Sequence, residues 1–187
     1  EHTEPTKGDD DLSIRPDYSV LATWEVGNAI AYIARRPTVA NNFVGWPDNR
    51  EANLKPYRFL VADSLADAEA ILDDCGARYV VVTEPVISGQ FARMLDVLGM
   101  DQDAYFGMNV EGKLEIRRKM ANTMAMRLYI HDGQYMKHFR LVFESSAKRP
   151  VAGQLRSVYK IFEFDKWGLL SPTPTTAPSD ASRPPPS

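Results

Sequence analysis

The run Tyr79-Val80-Val81-Val82-Thr83 constrains the fold more than any other part of the chain. It is β-branched and uninterrupted, with no polar residue alternating onto a solvent face, which is the pattern of a strand covered on both sides. Such a strand needs apolar layers above and below it, and the preceding segment offers one. Ser64-Leu65-Ala66-Asp67 resembles a capping box with Asp in place of the usual Glu. It opens a helix that turns Leu65, Ala68, Leu72 and Cys75 inward, with Gly76 as its stop. Phe59-Leu60-Val61-Ala62 reads as a further short strand, so strand, helix and strand make a βαβ unit.

Elements of both periods flank this unit. Tyr18-Ser19-Val20-Leu21-Ala22 reads as a buried strand, followed directly by a helix from Trp24 through Ile30 and Ile33 that stops before Pro37. A polar, turn-rich loop is expected from Asn41 to Pro56. Beyond the central strand, a helix from Ser88 places Phe91, Leu95 and Leu98 on one face. A longer helix, from about Lys113 to Ile130, carries Met120, Met124 and Leu128 at spacing four, as core filler. Phe139–Glu144 and Val158–Phe164 read as two adjacent strands. The expected class is α/β (α+β): a single mixed domain over residues 17–170 with a βαβ-like core, several helices and a C-terminal strand pair. Residues 1–16 are an acidic head and residues 171–187 a Pro/Ser/Thr-rich tail, both expected to be disordered because neither holds the apolar groups to build a core.

Charge and composition exclude several functions. Glu1, Glu4, Asp9, Asp10 and Asp11 against Lys7 and Arg15 account for the whole formal charge of −3, so residues 17–170 are neutral. A neutral domain has no general attraction for phosphate, and no nucleic-acid partner is expected. No apolar run approaches the roughly 18–20 residues of a membrane span. The chain starts with Glu and shows no targeting signal, which fits a soluble domain cut from a longer protein. The single Cys75 forms no intrachain disulfide and reads as a small buried hydrophobe, not a nucleophile. His131-Asp132-Gly133 reads as a turn with Gly133 at positive φ, since neighbours in sequence do not converge on one point. No metal site is expected in this chain. Serine elbows, phosphate loops and dinucleotide fingerprints are absent.

Thr23-Trp24-Glu25-Val26-Gly27 is the segment where chemistry concentrates, at the abrupt end of a strand where a helix begins. An indole N–H can only donate and a carboxylate can only accept, so the pair matches a ligand hydroxyl, which does both. The same residues also read as a core anchor, Trp24, and a first-turn acid, Glu25, favoured by the helix dipole. The residues alone leave both readings open.

The order of segments resembles the extracytoplasmic C-terminal domain of the catalytic subunit of oligosaccharyltransferase, a multispanning membrane enzyme that attaches lipid-linked glycans to Asn. Family members look like Val-Leu-Ser-Trp-Trp-Asp-Tyr-Gly before a helix ending near Arg-Pro. This chain reads Val20-Leu21-Ala22-Thr23-Trp24-Glu25-Val26-Gly27, with Arg36-Pro37 after the helix and Ala40-Asn41-Asn42 beyond. Ala77–Val82 is similar to the strand before the family's second acceptor motif. Arg93-Met94-Leu95-Asp96-Val97 resembles the bacterial Met-x-x-Ile form of that motif, with Val97 for Ile. Met126–Tyr129, Asp132-Gly133, Phe139–Ser145 and Val158–Glu163 follow in the family's order, so the resemblance spans residues 17–165.

The resemblance implies that Trp24 and Glu25 hydrogen-bond the Ser or Thr hydroxyl of an Asn-x-Ser/Thr acceptor, and that Met94 and Val97 contact the Thr methyl. Three departures bear on acceptor choice: Thr23 stands where the first Trp belongs, Glu25 is one methylene longer than Asp, and Val26 replaces Tyr. The expected partners are an acceptor protein or peptide and, through a missing membrane domain, a lipid-linked oligosaccharide. A divalent metal, Mn or Mg, is expected in that missing part, so this chain alone is expected to transfer no glycan. The parent is expected to be a bacterial, single-subunit enzyme acting at the periplasmic face of the inner membrane. Two alternatives stand beside it: a related membrane glycosyltransferase with a non-sequon acceptor, and a non-catalytic extracytoplasmic binding module.

Overall fold

The computed structural model describes residues 17–41 and 50–166; the acidic head, the Pro-rich tail and Asn42 lie outside the described residues. In chain order the elements are β1 (Ser19–Leu21), α1 (Trp24–Asn28) continued by a π-helical turn (Ala29–Ile33), α2 (Arg50–Val61), α3 (Leu65–Cys75) and β2 (Ala77–Thr83). A second π-helical turn (Val86–Gln90) leads into α4 (Phe91–Val97). There follow β3 (Phe106–Met108), β4 (Leu114–Ile116), α5 (Arg118–Ala121), α6 (Met124–Tyr129), β5 (Phe139–Glu144), β6 (Lys148–Val151), β7 (Gln154–Ser157) and β8 (Tyr159–Phe164).

The main sheet has the order β1-β2-β8-β5, and β2 pairs in parallel with β1 and antiparallel with β8. The strand expected to be covered on both faces is therefore an inner strand, with Val80 and Val82 fully buried. On one side they join the main core with Phe59, Leu60, Leu72, Phe91 and Leu128. On the other, Tyr79 and Val81 meet Tyr18, Val20 and Ile30. The mixed α/β class and the βαβ-like core hold, and the C-terminal pair forms as β5 beside β8. The capping of α3 is also as expected: Ser64 Oγ accepts from the Asp67 N–H at 3.4 Å, and Gly76 takes φ +60°.

Four expectations are corrected. The first partner of the βαβ unit is β1; Phe59–Ala62 forms no strand and, up to Val61, is the buried end of α2. A four-residue apolar run has no period long enough to separate strand from helix. The loop expected up to Pro56 ends by Arg50, because α2 holds Pro56 in its interior. Proline there lacks the N–H that would bond the Ala52 carbonyl, at a cost of about 3 kcal/mol. Burial of Pro56, Phe59, Leu60 and Val61 on α2 offsets it.

The helix expected from Ser88 begins earlier, with its π-helical turn at Val86. The long helix expected over Lys113 to Ile130 is three elements. Asn109 Oδ1 accepts from the N–H groups of Glu111 and Lys113 at 2.9 Å, and Gly112 sits at φ +73°, closing the β3–β4 hairpin. Thr123 then ends α5 and starts α6: its hydroxyl donates to the Met120 carbonyl at 2.7 Å and accepts from the Met126 N–H at 3.4 Å. The stripe Met120, Met124 and Leu128 survives this break and is buried. The His131-Asp132-Gly133 turn forms, with Asp132 as well as Gly133 at positive φ and the Asp132 carboxylate paired with the buried Lys160.

Candidate functional site

The end of β1 runs straight into α1, which fixes the backbone of Thr23–Gly27. Thr23, extended at ψ 151°, is the N-cap of α1; its side chain makes no capping bond and is 2% exposed. Its carbonyl accepts the Val26 N–H at 3.1 Å. Trp24 and Val26 are half-buried and Glu25 is exposed. Gly27 faces the segment that returns after Pro37: a Cβ on it would lie 1.9 Å from the Ala40 carbonyl oxygen. No side chain fits there, so α1 approaches the backbone of residues 40–41 as closely as only glycine permits.

That returning segment is tied to the first sheet strand and to α2. Val20 N–H donates to the Pro37 carbonyl at 2.8 Å and Val39 N–H to the Val20 carbonyl at 3.0 Å. The Asn41 N–H donates to Asn53 Oδ1 on α2 at 3.0 Å, while the buried Asn53 Nδ2 has no partner. One helical turn further along α2, Tyr57 receives the Trp24 indole proton, with Nε1 2.7 Å from the phenol oxygen. Burial raises the Tyr57 pKa above the ordinary 10.0, the Glu25 charge raises it further, and the Trp24 bond opposes both. The site is thus a strand end, a glycine contact and a helix face that together hold an indole on a phenol, with an exposed carboxylate on the next residue.

The expected site residues do not all gather there. Thr23, Trp24, Glu25, Val26 and Gly27 form one turn, but the Trp24 N–H is already donated inside the protein and Thr23 is enclosed. Met94 and Val97, expected to make one apolar wall, do not share a surface. Met94 belongs to the buried stripe of α4 with Phe91 and Leu95 and is 1% exposed, whereas Val97 is 57% exposed. Tyr57 and Asn53 went unrecognised in the sequence because Pro56 disguises α2 as a loop. Their spacing of four was the one available signal, and it has meaning only on a helix.

The chain is similar in sequence and fold to known proteins. The AglB core domain family matches residues 2–87. Two dolichyl-phosphooligosaccharide-protein glycotransferases of Archaeoglobus fulgidus are each 29% identical to the chain. One aligns over 128 residues, 68% of the chain, and the other over 135 residues, 70% of it. The chain spans about a fifth of their length, 21% in each case. The C-terminal globular domain of oligosaccharyltransferase from A. fulgidus superposes with a TM-score of 0.64 at 26% identity, covering 87% of this chain and 89% of that one. An archaeal oligosaccharyltransferase from the same organism, in complex with an inhibitory peptide and a dolichol-phosphate, shares the fold at TM-score 0.62. Its identity is 16%, over 79% of this chain and 27% of that one. These relatives are archaeal, and nothing in them supports the bacterial assignment drawn from Met94-x-x-Val97.

Proposed function

Because the chain is related in sequence and fold to the C-terminal globular domain of oligosaccharyltransferase, we propose that it is the acceptor-recognition domain of such an enzyme. The enzyme transfers a lipid-linked glycan to the side-chain amide of Asn in an Asn-x-Ser/Thr acceptor. The observation that carries this reading is the domain-for-domain match, which spans nearly the whole length of both chains. The turn Thr23–Gly27 supports it. Glu25 is an exposed hydrogen-bond acceptor, fixed on the first turn of α1 beside an aromatic pair that supplies a donor and an apolar surface. Val97, open on α4, is a second apolar contact for the acceptor.

The remaining parts of the reaction fall to polypeptide beyond this chain. Among the described residues no helix is long and apolar enough to cross a membrane, and no three His, Cys, Asp or Glu side chains are grouped to hold a metal ion. Since the chain spans about a fifth of its relatives' length, we assign the lipid-linked donor and the divalent cation, Mn or Mg, to the rest of the enzyme, with this domain on the outer face of the membrane. The domain's part is to hold the acceptor peptide so that its Asn meets the donor, a gain in effective concentration and orientation.

Glycan transfer by the full-length polypeptide, extracted from membranes and supplied with lipid-linked oligosaccharide, tests the reading. The expected result is transfer to an Asn-x-Thr peptide, none to the Gln-x-Thr peptide, and a loss of at least about tenfold in kcat/KM for Glu25→Ala, the scale of one charge-assisted hydrogen bond. Equal handling of the two peptides would remove the proposal.

A further inference from the structure

We infer that Tyr57, not the Trp24 indole, is the hydrogen-bond donor to the acceptor hydroxyl, which makes Tyr57 a specificity-determining residue of the site. The inference rests on the acceptor-recognition reading above and assigns a role within it. The indole has a single proton, and Trp24 donates it to the Tyr57 oxygen at 2.7 Å. To serve a ligand directly it would have to abandon that bond, leaving a half-buried phenol oxygen without its donor.

The phenol is arranged the opposite way. Its oxygen is the acceptor of the indole bond, so its own proton remains available to a further acceptor. Accepting one hydrogen bond polarises a hydroxyl and strengthens the bond it donates. A ligand hydroxyl between Tyr57 and Glu25 accepts from the phenol and donates to the carboxylate, which satisfies all three groups. Glu25 follows Trp24 directly, exposed on the first turn of α1, and its charge acts on the phenol. Thr23, where the resembled family has its first Trp, is buried at 2% exposure, so no second indole or exposed hydroxyl competes for the role. Trp24 becomes a positioning residue: it orients the phenol by fixing the direction from which the oxygen is bound.

The orientation is held from α2 as well. Asn53, one turn before Tyr57, binds the Asn41 N–H through Oδ1, so the same helix face anchors the segment against which Gly27 packs. Rotation of α2 to carry Tyr57 away would break this tie.

The test is the kcat/KM ratio for an Asn-x-Thr peptide over the isosteric Asn-x-Val peptide, measured on the full-length, membrane-extracted polypeptide. Tyr57→Phe keeps the ring and removes only the hydroxyl. The expected result is a fall of about tenfold in that ratio, through KM for the Thr peptide, with a smaller fall for the Val peptide. Trp24→Phe, which removes the indole proton and leaves the phenol, is expected to lower the ratio less. An unchanged ratio in Tyr57→Phe, an equal fall for both peptides as a structural role would give, or a larger fall in ratio for Trp24→Phe each overturns the assignment. These outcomes presuppose a wild type that prefers Asn-x-Thr to Gln-x-Thr; absence of that preference overturns the functional reading instead.

Discussion

Gly27 makes a strict demand on the sequence. The 1.9 Å approach that a Cβ would make is to a backbone carbonyl, which cannot swing aside as a flexible side chain would. Gly27→Ala is therefore expected to lower stability by about 3 kcal/mol, read as a drop in Tm, with α1 displaced from Ala40. Tyr57 makes a prediction of a different kind. Its folded pKa lies above the 10.0 of an unfolded tyrosine, so between the two values the unfolded state has lost a proton that the folded state keeps. Its contribution to stability is complete below about pH 10 and is lost as pH climbs through the folded value. Tyr129 follows the same rule, its pKa also raised by burial. A spectrophotometric titration should show both phenols ionising above the ordinary value of 10.0, with one late phenol missing in Tyr57→Phe. At this scale half of the site was legible. Trp24 and Glu25 stand out because a strand ends abruptly on them, while Tyr57 reaches them only through a tertiary contact across 33 residues.

Elements were readable where local chemistry and tertiary packing agree. The α3 helix has its Ser64 cap, its buried Ala68 and Leu72 and its Gly76 stop, and each signal is local. The α2 helix carries a proline against its own continuation and forms because its buried face outweighs that penalty, a balance that local sequence does not reveal. The β3–β4 hairpin was lost in a stripe of helical spacing. Met120, Met124 and Leu128 predict burial correctly on either side of a break but say nothing about where the break falls. Thr123 sets it. Replacing Thr123 by Ala leaves the Met126 N–H without its acceptor in a fully buried position, and a loss of about 1–2 kcal/mol is expected, measurable by denaturant unfolding.

In the whole molecule, Glu163 joins three strands. From β8 its carboxylate accepts Arg78 Nε at 3.0 Å and the Tyr79 hydroxyl at 3.3 Å on β2, and Arg140 Nη2 at 2.5 Å on β5. The carboxylate is 4% exposed, the two arginines 30% and 36%. Glu163→Ala removes the buried carboxylate that both arginines bind, and a loss of about 3 kcal/mol is expected, at the lower end for a broken buried pair because both arginines keep some water. Chemical unfolding of the variant checks it. The residue types on β8 announced a strand, but not that its two charged side chains, Lys160 and Glu163, would both be buried. Their partners come from β2, β5 and the Asp132 turn, which only the assembled sheet brings within reach.

The position of β2 also sets an order of events during synthesis. Its parallel partner β1 is made well before it, but its antiparallel partner is the last strand described, and Arg78 meets Glu163 across 85 residues. A nascent chain released short of Tyr159 presents Val80-Val81-Val82 along an open edge, a template for pairing with another chain. A ribosome must therefore finish nearly the whole domain before its most adhesive strand is shielded, and fragments that stop early are the ones a cell would have to guard or destroy.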